Sequence, residues 1–411
     1  MTIAEGQVDP RHSELAALPL IAPNHIEGGT GRLLRLESAG DQGAESGKYE
    51  VRKGDVVYSK IRPRLRKVCI APTDALCSAD MYPLRPQDGL HGGFLYWWLL
   101  SEPFSAFAEL ESDRVAMPKI NRDSLNTACI PLPSTSEQKR IAEFLDRETA
   151  KIDALVAEQE RLIALLKEKR QAVISNAVTK GLNPDVPMKD SGVEWIGQVP
   201  RNWSVVPLRS VAQLESGHTP SRQRPEWWVD CTIPWFSLAD VWQIREGKAD
   251  VVFETAEKVS ELGIANSSAR LLPTGTVILS RTASVGFSAI MGIPMATTQD
   301  FANWICGPRL SPQFLLHVLR AMAPEFERLK MGSTHNTIYM PDISAFRCPL
   351  PLLGTQHEVV AALKSRTDEI DQLLAETEHA LKLLSERRSS IITAVVTGQI
   401  DVRGFASVEA A

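Results

Sequence analysis

A chain of 411 residues with 44% hydrophobic content can form two to four structural units with their own cores. Its net charge of −5 excludes a uniformly basic surface, although a whole-chain average leaves room for a local basic face. Six cysteines (Cys69, Cys77, Cys129, Cys231, Cys306, Cys348) without a CxxC pair argue against a zinc module and for a reducing compartment. The most apolar run, residues 94–100, is far too short to span a bilayer, and the first ten residues lack the basic and apolar parts of a secretory signal. The chain reads as soluble and cytoplasmic, with no membrane contact.

In chain order, residues 1–134 form a first globule. Strand-like runs (Asp55-Val56-Val57-Tyr58; Val68-Cys69-Ile70) alternate there with Gly and Pro, and an apolar helix is expected over 93–107. A long helix follows over 135–182, then a polar, proline-bearing linker over 183–192. Residues 193–351 form a second globule on the plan of the first. Gly54-Asp55-Val56-Val57-Tyr58-Ser59-Lys60 is answered by Gly275-Thr276-Val277-Ile278-Leu279-Ser280-Arg281, Asp80 by Asp300, and Phe94-Leu95 by Phe314-Leu315. A second long helix spans 352–400, and 401–411 is a tail. Only 17 residues precede Leu18-Pro19, whereas about 40 precede its counterpart Ile233-Pro234 in the second globule, so the first globule is expected to lack its opening strand and loop.

The two helices are one sequence written twice. Residues 131–182 fall on 349–400 after a shift of 218, and 19 of the 52 paired positions are identical. Steps of four and three place Ile141, Leu145, Ile152, Leu155, Leu162, Leu166 and Val173 on one seam, with Val359, Leu363, Ile370, Leu373, Ala380, Leu384 and Ile391 at the same places in the second copy. Each helix, roughly 40 residues at about 1.5 Å apiece, is a rod on the order of 60 Å long, too long for either globule to cover. A duplicated unit closes both seams within one chain if the second rod returns antiparallel along the first, and a charge at Leu155 or Leu373 should then cost about 2–5 kcal/mol. The expected fold class is α+β: two mixed α/β globules joined by a pair of long helices in an antiparallel coiled coil, with a pseudo-two-fold internal repeat.

No familiar catalytic constellation is present. Residues 43–48 fall one short of a phosphate-binding loop, Gly29-Thr30-Gly31 is followed by Leu34 where a dinucleotide loop needs Gly, and no Asn-Pro-Pro-aromatic segment exists to grip an adenine. Pro184-Asp185 and Pro341-Asp342 lack the acidic-x-Lys of a metal-dependent nuclease, and the histidines form no HxH or HxxxH pair, so a lone one such as His317 reads as packed. No catalytic residue, metal site or cofactor site is assigned.

What remains suits a polyanion. Lys60, Arg62, Arg64, Arg66 and Lys67 put five positive charges into eight residues directly after a strand. In the second globule the candidates are Arg281 and the loop Thr219-Pro220-Ser221-Arg222-Gln223-Arg224, whose amide and guanidinium groups have the donor geometry for base edges. The turn Ser333-Thr334-His335-Asn336 is a third candidate. A tandem scaffold for protein partners and an unfamiliar nucleic-acid enzyme are the alternatives.

Several segments together resemble one family. They are Leu132-Pro133 with Glu137-Gln138 and Ile141-Ala142, the copy Leu350-Pro351 with Thr355-Gln356, the rod endings at 177–182 and 394–401, and Gly192-Val193-Glu194-Trp195-Ile196-Gly197-Gln198-Val199-Pro200. With Ser216-Gly217-His218-Thr219-Pro220 and Ile233-Pro234-Trp235, they are similar to the specificity subunits of Type I restriction-modification systems. The resemblance implies that each globule is a target-recognition domain for half of a bipartite double-stranded DNA site, and that the rods space the two. It also implies a subunit without catalysis of its own. Its partners would be two adenine methyltransferase subunits and the restriction/translocase subunits, which use S-adenosylmethionine, ATP and Mg2+. The departures are the short start of the first domain and Thr355 where the first copy has Glu137.

Overall fold

A computed structural model of the chain describes residues 1–112, 118–330 and 336–404. They fall into two compact units, one of Met1–Arg161 with Thr377–Ala411 and one of Leu162–Glu376. Each unit thus holds a globule, the adjoining half of its own long helix and the far half of the other.

The first globule contains β1 (Thr2–Ile3), β2 (Pro19–Ile21), β3 (Glu37–Ser38), β4 (Tyr49–Val51), β5 (Val56–Ser59), β6 (Val68–Ile70), β7 (Ala75–Cys77) and β8 (Met81–Arg85). One sheet runs β1-β8-β5-β6, all antiparallel; the other runs β3-β2-β7-β4, with β2 and β7 parallel. Every residue of β5 is buried, which is why its Val-Val-Tyr-Ser reads as a continuous apolar run instead of an alternation. Tyr58 meets Phe104 edge-on at 5.4 Å, in a core shared with Phe94, Leu84 and Trp97. The helix expected over 93–107 is two helices, Gly92–Leu100 and Glu102–Ser112. Ser101 is extended between them, and Pro103 stands in the first turn of the second, where its missing N–H costs nothing. The opening strand is also not missing outright: Thr2–Ile3 pairs with Leu84 and Arg85, taking an edge of the sheet.

The second globule contains β9 (Met188–Asp190), β10 (Gln198–Pro200), β11 (Ser204–Pro207), β12 (Ala212–Ser216), β13 (Ile233–Phe236), β14 (Val251–Val252), β15 (Glu257–Val259), β16 (Val277–Ser280), β17 (Ser288–Met291), β18 (Ala296–Thr297), β19 (Phe301–Cys306) and β20 (Arg347–Leu350). Its main sheet runs β12-β19-β16-β17-β14, beside a three-stranded sheet β15-β13-β18, the pair β11-β20 and the hairpin β9-β10. The repeat carries through to pairing. β16 lies between β17 and β19 as β5 lies between β6 and β8, β13 runs parallel to β18 as β2 does to β7, and β12 holds the edge that β1 holds in the first globule.

The long helices span Thr135–Lys180 and Leu353–Val396. In the first unit Ile141, Ala142 and Leu145 pack with Ile392, Val395 and Val396, while further along Asp153 binds Arg388. In the second unit Ile174, Ala177 and Val178 pack with Val359 and Leu363, while Arg170 binds Asp371. Within each unit the two helices therefore run antiparallel, as expected. Each entry into a long helix is stapled by a buried glutamine at the same repeat position. Gln138 accepts from His91 N–H and donates to the Gly89 and Pro133 carbonyls; Gln356 accepts from Ser311 N–H and donates to those of Arg309 and Pro351.

The seam differs from its expected course at three positions. Ile141, Leu145, Ile152, Leu166, Val359, Leu363 and Ile370 are buried, and Val173, Leu384 and Ile391 are half-buried. Leu155, Leu162 and Leu373 are instead about half exposed, at 50%, 41% and 47%. The half-buried neighbours Val156, Ile163 and Leu374 turn inward in their place. The buried line passes through Thr149 and Thr367, whose hydroxyls donate to the carbonyls of Leu145 and Leu363 one turn back. A hydroxyl satisfied by its own helix can be buried at little cost, so the seam steps from 145 to 149 where the four-three spacing points to Glu148.

Candidate nucleic-acid interface

In the first unit the basic run after β5 does not act as one patch. Arg62 and Arg66 both adopt left-handed backbone, with φ of 48° and 45°, on either side of a single 3-10 turn, Pro63–Leu65. The resulting reversal sends neighbouring side chains in different directions. Arg66 turns inward, donating to the Glu102 carboxylate at 2.6 Å and to the hydroxyls of Ser105 and Ser389 at 2.9 and 3.2 Å. It also holds the Glu102 carboxyl below its ordinary pKa range. Lys67 donates to the Pro23 carbonyl, Lys60 lies over the Tyr82 ring, and Arg64 pairs with Glu109 at the surface. Arg66 and Lys67 are thus committed to packing; Lys60, Arg62 and Arg64 remain on the outer face. Of these, Arg62 is exposed, with no side-chain partner among the described residues.

In the second unit, separate candidate segments meet at the end of β16. Arg281, the next residue, donates through Nε to the Gln299 carbonyl at 3.0 Å and through Nη1 to the Ile338 carbonyl at 3.3 Å. Gln299 in turn accepts from the Thr219 hydroxyl through its side chain at 2.8 Å. Ala283 N–H donates to the Asn336 carbonyl, and Thr282 forms a bridge with Thr337. Arg281 is thereby a tie between the 219–224 loop and the segment entering at Asn336. Asn336 is exposed in left-handed backbone at φ 47°, while Ser333, Thr334 and His335 lie outside the described residues. The same architecture recurs in the first unit, where Lys60 N–H donates to the Asp80 carbonyl, Ile120 N–H to that of Lys60, and Ile61 bridges Lys119.

The 219–224 loop is anchored by aromatic packing. Arg222 stacks 3.8 Å above the Trp228 ring, lies 5.6 Å from that of Trp235 and pairs with Glu257, while Trp228 Nε1 donates to the Ser221 carbonyl. Gly217 must be glycine, because a Cβ there would stand 2.1 Å from the Thr298 carbonyl oxygen. The loop therefore hugs the sheet and presents Ser221, Gln223 and Arg224 outward, with Arg224 only loosely paired to Glu226 at 3.8 Å. Beside it opens a groove of about 780 Å³ lined by residues that include Arg209, His218, Arg270 and Gln299, where Arg270 offsets the buried Glu215 carboxylate at 2.6 Å. Sequence reasoning missed Gln299, Arg209 and Arg270. The only signal was that Asp300 answers Asp80, which points to its neighbour Gln299.

His317 is packed, as expected: it is buried, and its pKa is lowered to about 4 by that burial and then by the nearby Arg320 guanidinium. Among the described residues no His, Cys, Asp and Glu side chains gather in a metal-binding group, and no helix is long and apolar enough to cross a membrane.

Residues 25–163 and 200–382 match the family model described as the Type I restriction modification DNA specificity domain. The chain is 35% identical over 157 residues to the specificity subunit of the Type I restriction enzyme EcoDI of Escherichia coli, covering 38% of this chain and 35% of that one. It is 24% identical over 193 residues to the MjaIX specificity subunit of Methanocaldococcus jannaschii, covering 46% and 44%. The chain thus spans less than half the length of either relative. In fold it is similar to a chain solved in a study of type I R-M system assembly and conformational transition, with a TM-score of 0.71 at 20% identity over 97% of this chain and 96% of that one.

Proposed function

Because the chain belongs to the family of Type I restriction-modification DNA specificity domains, we propose that it is the specificity subunit of such a complex. Each globule reads one half of a bipartite duplex target, and the paired helices set the spacing. The observation that carries this reading is the convergence at the end of β16, where Arg281 and Gln299 gather the 219–224 loop and the segment at Asn336 onto one end of a rigid sheet.

Gln223 can present the donor and the acceptor of its amide to adenine and Arg224 its fork to guanine in the major groove, with Ser221 and Asn336 as further polar contacts; Ser333, Thr334 and His335, outside the described residues, have side chains of the same hydrogen-bonding kind. Arg209 and Arg270 suit phosphates, as do Lys60, Arg62 and Arg64 in the first globule; Thr219, Arg222 and Arg281 position the reading loop. The leucines left exposed on the rods, Leu155, Leu162, Leu165, Leu373 and Leu383, suit docking of two adenine methyltransferase subunits. In this reading S-adenosylmethionine, ATP and Mg2+ belong to those subunits and to the restriction/translocase subunits. The chain itself catalyses nothing and works on cytoplasmic DNA. Mapping methylated adenines in cells that express the chain with its methyltransferase tests the proposal: one bipartite motif is expected. Methyl transfer or cleavage by the purified chain without partners overturns it.

A further inference from the structure

In the first unit, the turn that carries Arg62 and Arg64 rests on the second long helix. Arg388, 7% exposed, donates from Nε to the Asp153 carboxylate at 2.8 Å and from Nη1 and Nη2 to the carbonyls of Gly29 and Thr30 at 2.8 and 3.2 Å. Gly29 N–H donates in turn to the Arg66 carbonyl at 3.2 Å, and Gly28 lies so close to the turn that a Cβ there would stand 2.5 Å from the Leu65 carbonyl oxygen. On the same helix the Ser389 hydroxyl accepts from the Arg66 guanidinium, and that of Thr393 accepts from Glu102 N–H at the start of the helix whose Glu109 pairs with Arg64. One stretch of the rod, 388–393, thus holds the turn and the helix beside it.

The second unit holds its counterpart turn differently. Ser59 N–H donates to the Lys67 carbonyl as Ser280 N–H does to that of Phe287, and the ladders agree, so Arg66 stands where the second unit has Gly286. Both are left-handed, at φ 45° and 93°. Glycine takes that backbone freely, an arginine only where its surroundings hold it there. The holding groups are Ser389, Ser105 and Glu102, all reached by the side chain that a glycine lacks. Arg170, the repeat counterpart of Arg388, binds Asp371 and lies against Gly247, which belongs neither to the turn after β16 nor to the 219–224 loop.

We propose that Arg388 is a positioning residue for DNA binding: through the contact of Gly29 with Arg66, the rod fixes the turn that presents Arg62 and Arg64 to the phosphate backbone. Arg170 has no such role in the second globule. The proposal rests on the reading of the chain as a specificity subunit and adds to it that a spacer helix takes part in the grip of the first globule. Arg388 is buried and touches no phosphate itself. It acts by keeping the left-handed pair Arg62 and Arg66 in place, since the cations between and beside them point outward only while that reversal is held.

Arg388→Lys tests this, because it keeps a charge against Asp153 while one ammonium cannot serve a carboxylate and two carbonyls in the fixed geometry of the guanidinium. The probe is the duplex identified by mapping methylated adenines, bound with methyltransferase present. The plot of log affinity against log salt should become shallower by about 1–2 in Arg388→Lys, the share of two phosphate contacts, and stay as it is in Arg170→Lys. In a chain already carrying Arg62→Ala and Arg64→Ala, adding Arg388→Lys should change the slope no further. The Gly29 amide should exchange at least about tenfold faster in Arg388→Lys, while the amides of β6 stay unchanged and report an intact sheet. An unchanged slope or an unchanged Gly29 exchange in Arg388→Lys overturns the proposal, as does an equal loss of slope in Arg170→Lys or a further loss in the chain without Arg62 and Arg64. A chain that binds its mapped duplex no better than a scrambled one overturns the specificity-subunit reading itself, and the proposal with it.

Discussion

Arginines four residues apart or fewer can serve opposite ends. Arg224 reaches outward on a loop that Arg222 holds down by stacking on Trp228. Arg224→Ala should relax selectivity at one base position by about 1–3 kcal/mol, read as affinity across duplexes altered singly at each position. Arg222→Ala should instead weaken binding to all those duplexes alike and lower the melting temperature, since it releases the loop that every contact shares. His317 gives a pH signature. Its folded pKa of about 4 lies below the ordinary 6.5, so the unfolded chain takes up a proton that the folded chain refuses. That contribution to stability is whole above pH 6.5, declines as pH falls, and is lost below about 4, roughly 3 kcal/mol in all. Urea midpoints at pH 7 and 4.5 should separate less in His317→Gln than in the unaltered chain. The count of cations after β5 was legible in the sequence; their directions were not. Two left-handed residues, Arg62 and Arg66, reverse the backbone there, and nothing in an arginine's identity announces that conformation.

At the level of the helices, the seam explains which apolar residues matter. Ile152 and Ile370 are buried at 5% and 4%, whereas Leu155 is half exposed. Ile152→Glu or Ile370→Glu should cost about 2–5 kcal/mol in denaturant unfolding, and Leu155→Glu no more than about 0.5. A large cost at Leu155 would mean that the seam follows the leucines after all. Helix existence, extent and antiparallel return could be read from the duplication, because identity at fixed spacing survives whatever the globules do. The phase of the seam could not, since Thr149 and Thr367 are polar by composition and buried only because each hydroxyl finds a carbonyl one turn back. The glutamine staples were visible as identities, Gln138 and Gln356, without a reason; the reason is the free N–H that each accepts at the start of a globule helix.

For the molecule as a whole, the unequal globules predict unequal reading. The second presents a five-residue edge strand beside the anchored 219–224 loop; the first presents two residues, Thr2–Ile3, at that edge. With methyltransferase present, scrambling the half-site read by the second globule should reduce affinity far more than scrambling the other. Equal losses would show that the first globule reads as well with its two-residue edge. The paired rods carry a further consequence for how such a chain can change over generations. Asp153 and Asp371 are the same position in the two copies, as are Arg170 and Arg388, and each aspartate is matched by the arginine of the opposite copy. A drift in one copy is therefore felt by the other, and the rods must age together. Both ion pairs join helix to helix and neither involves a reading loop, so one globule can be exchanged for a foreign one while both are inherited intact.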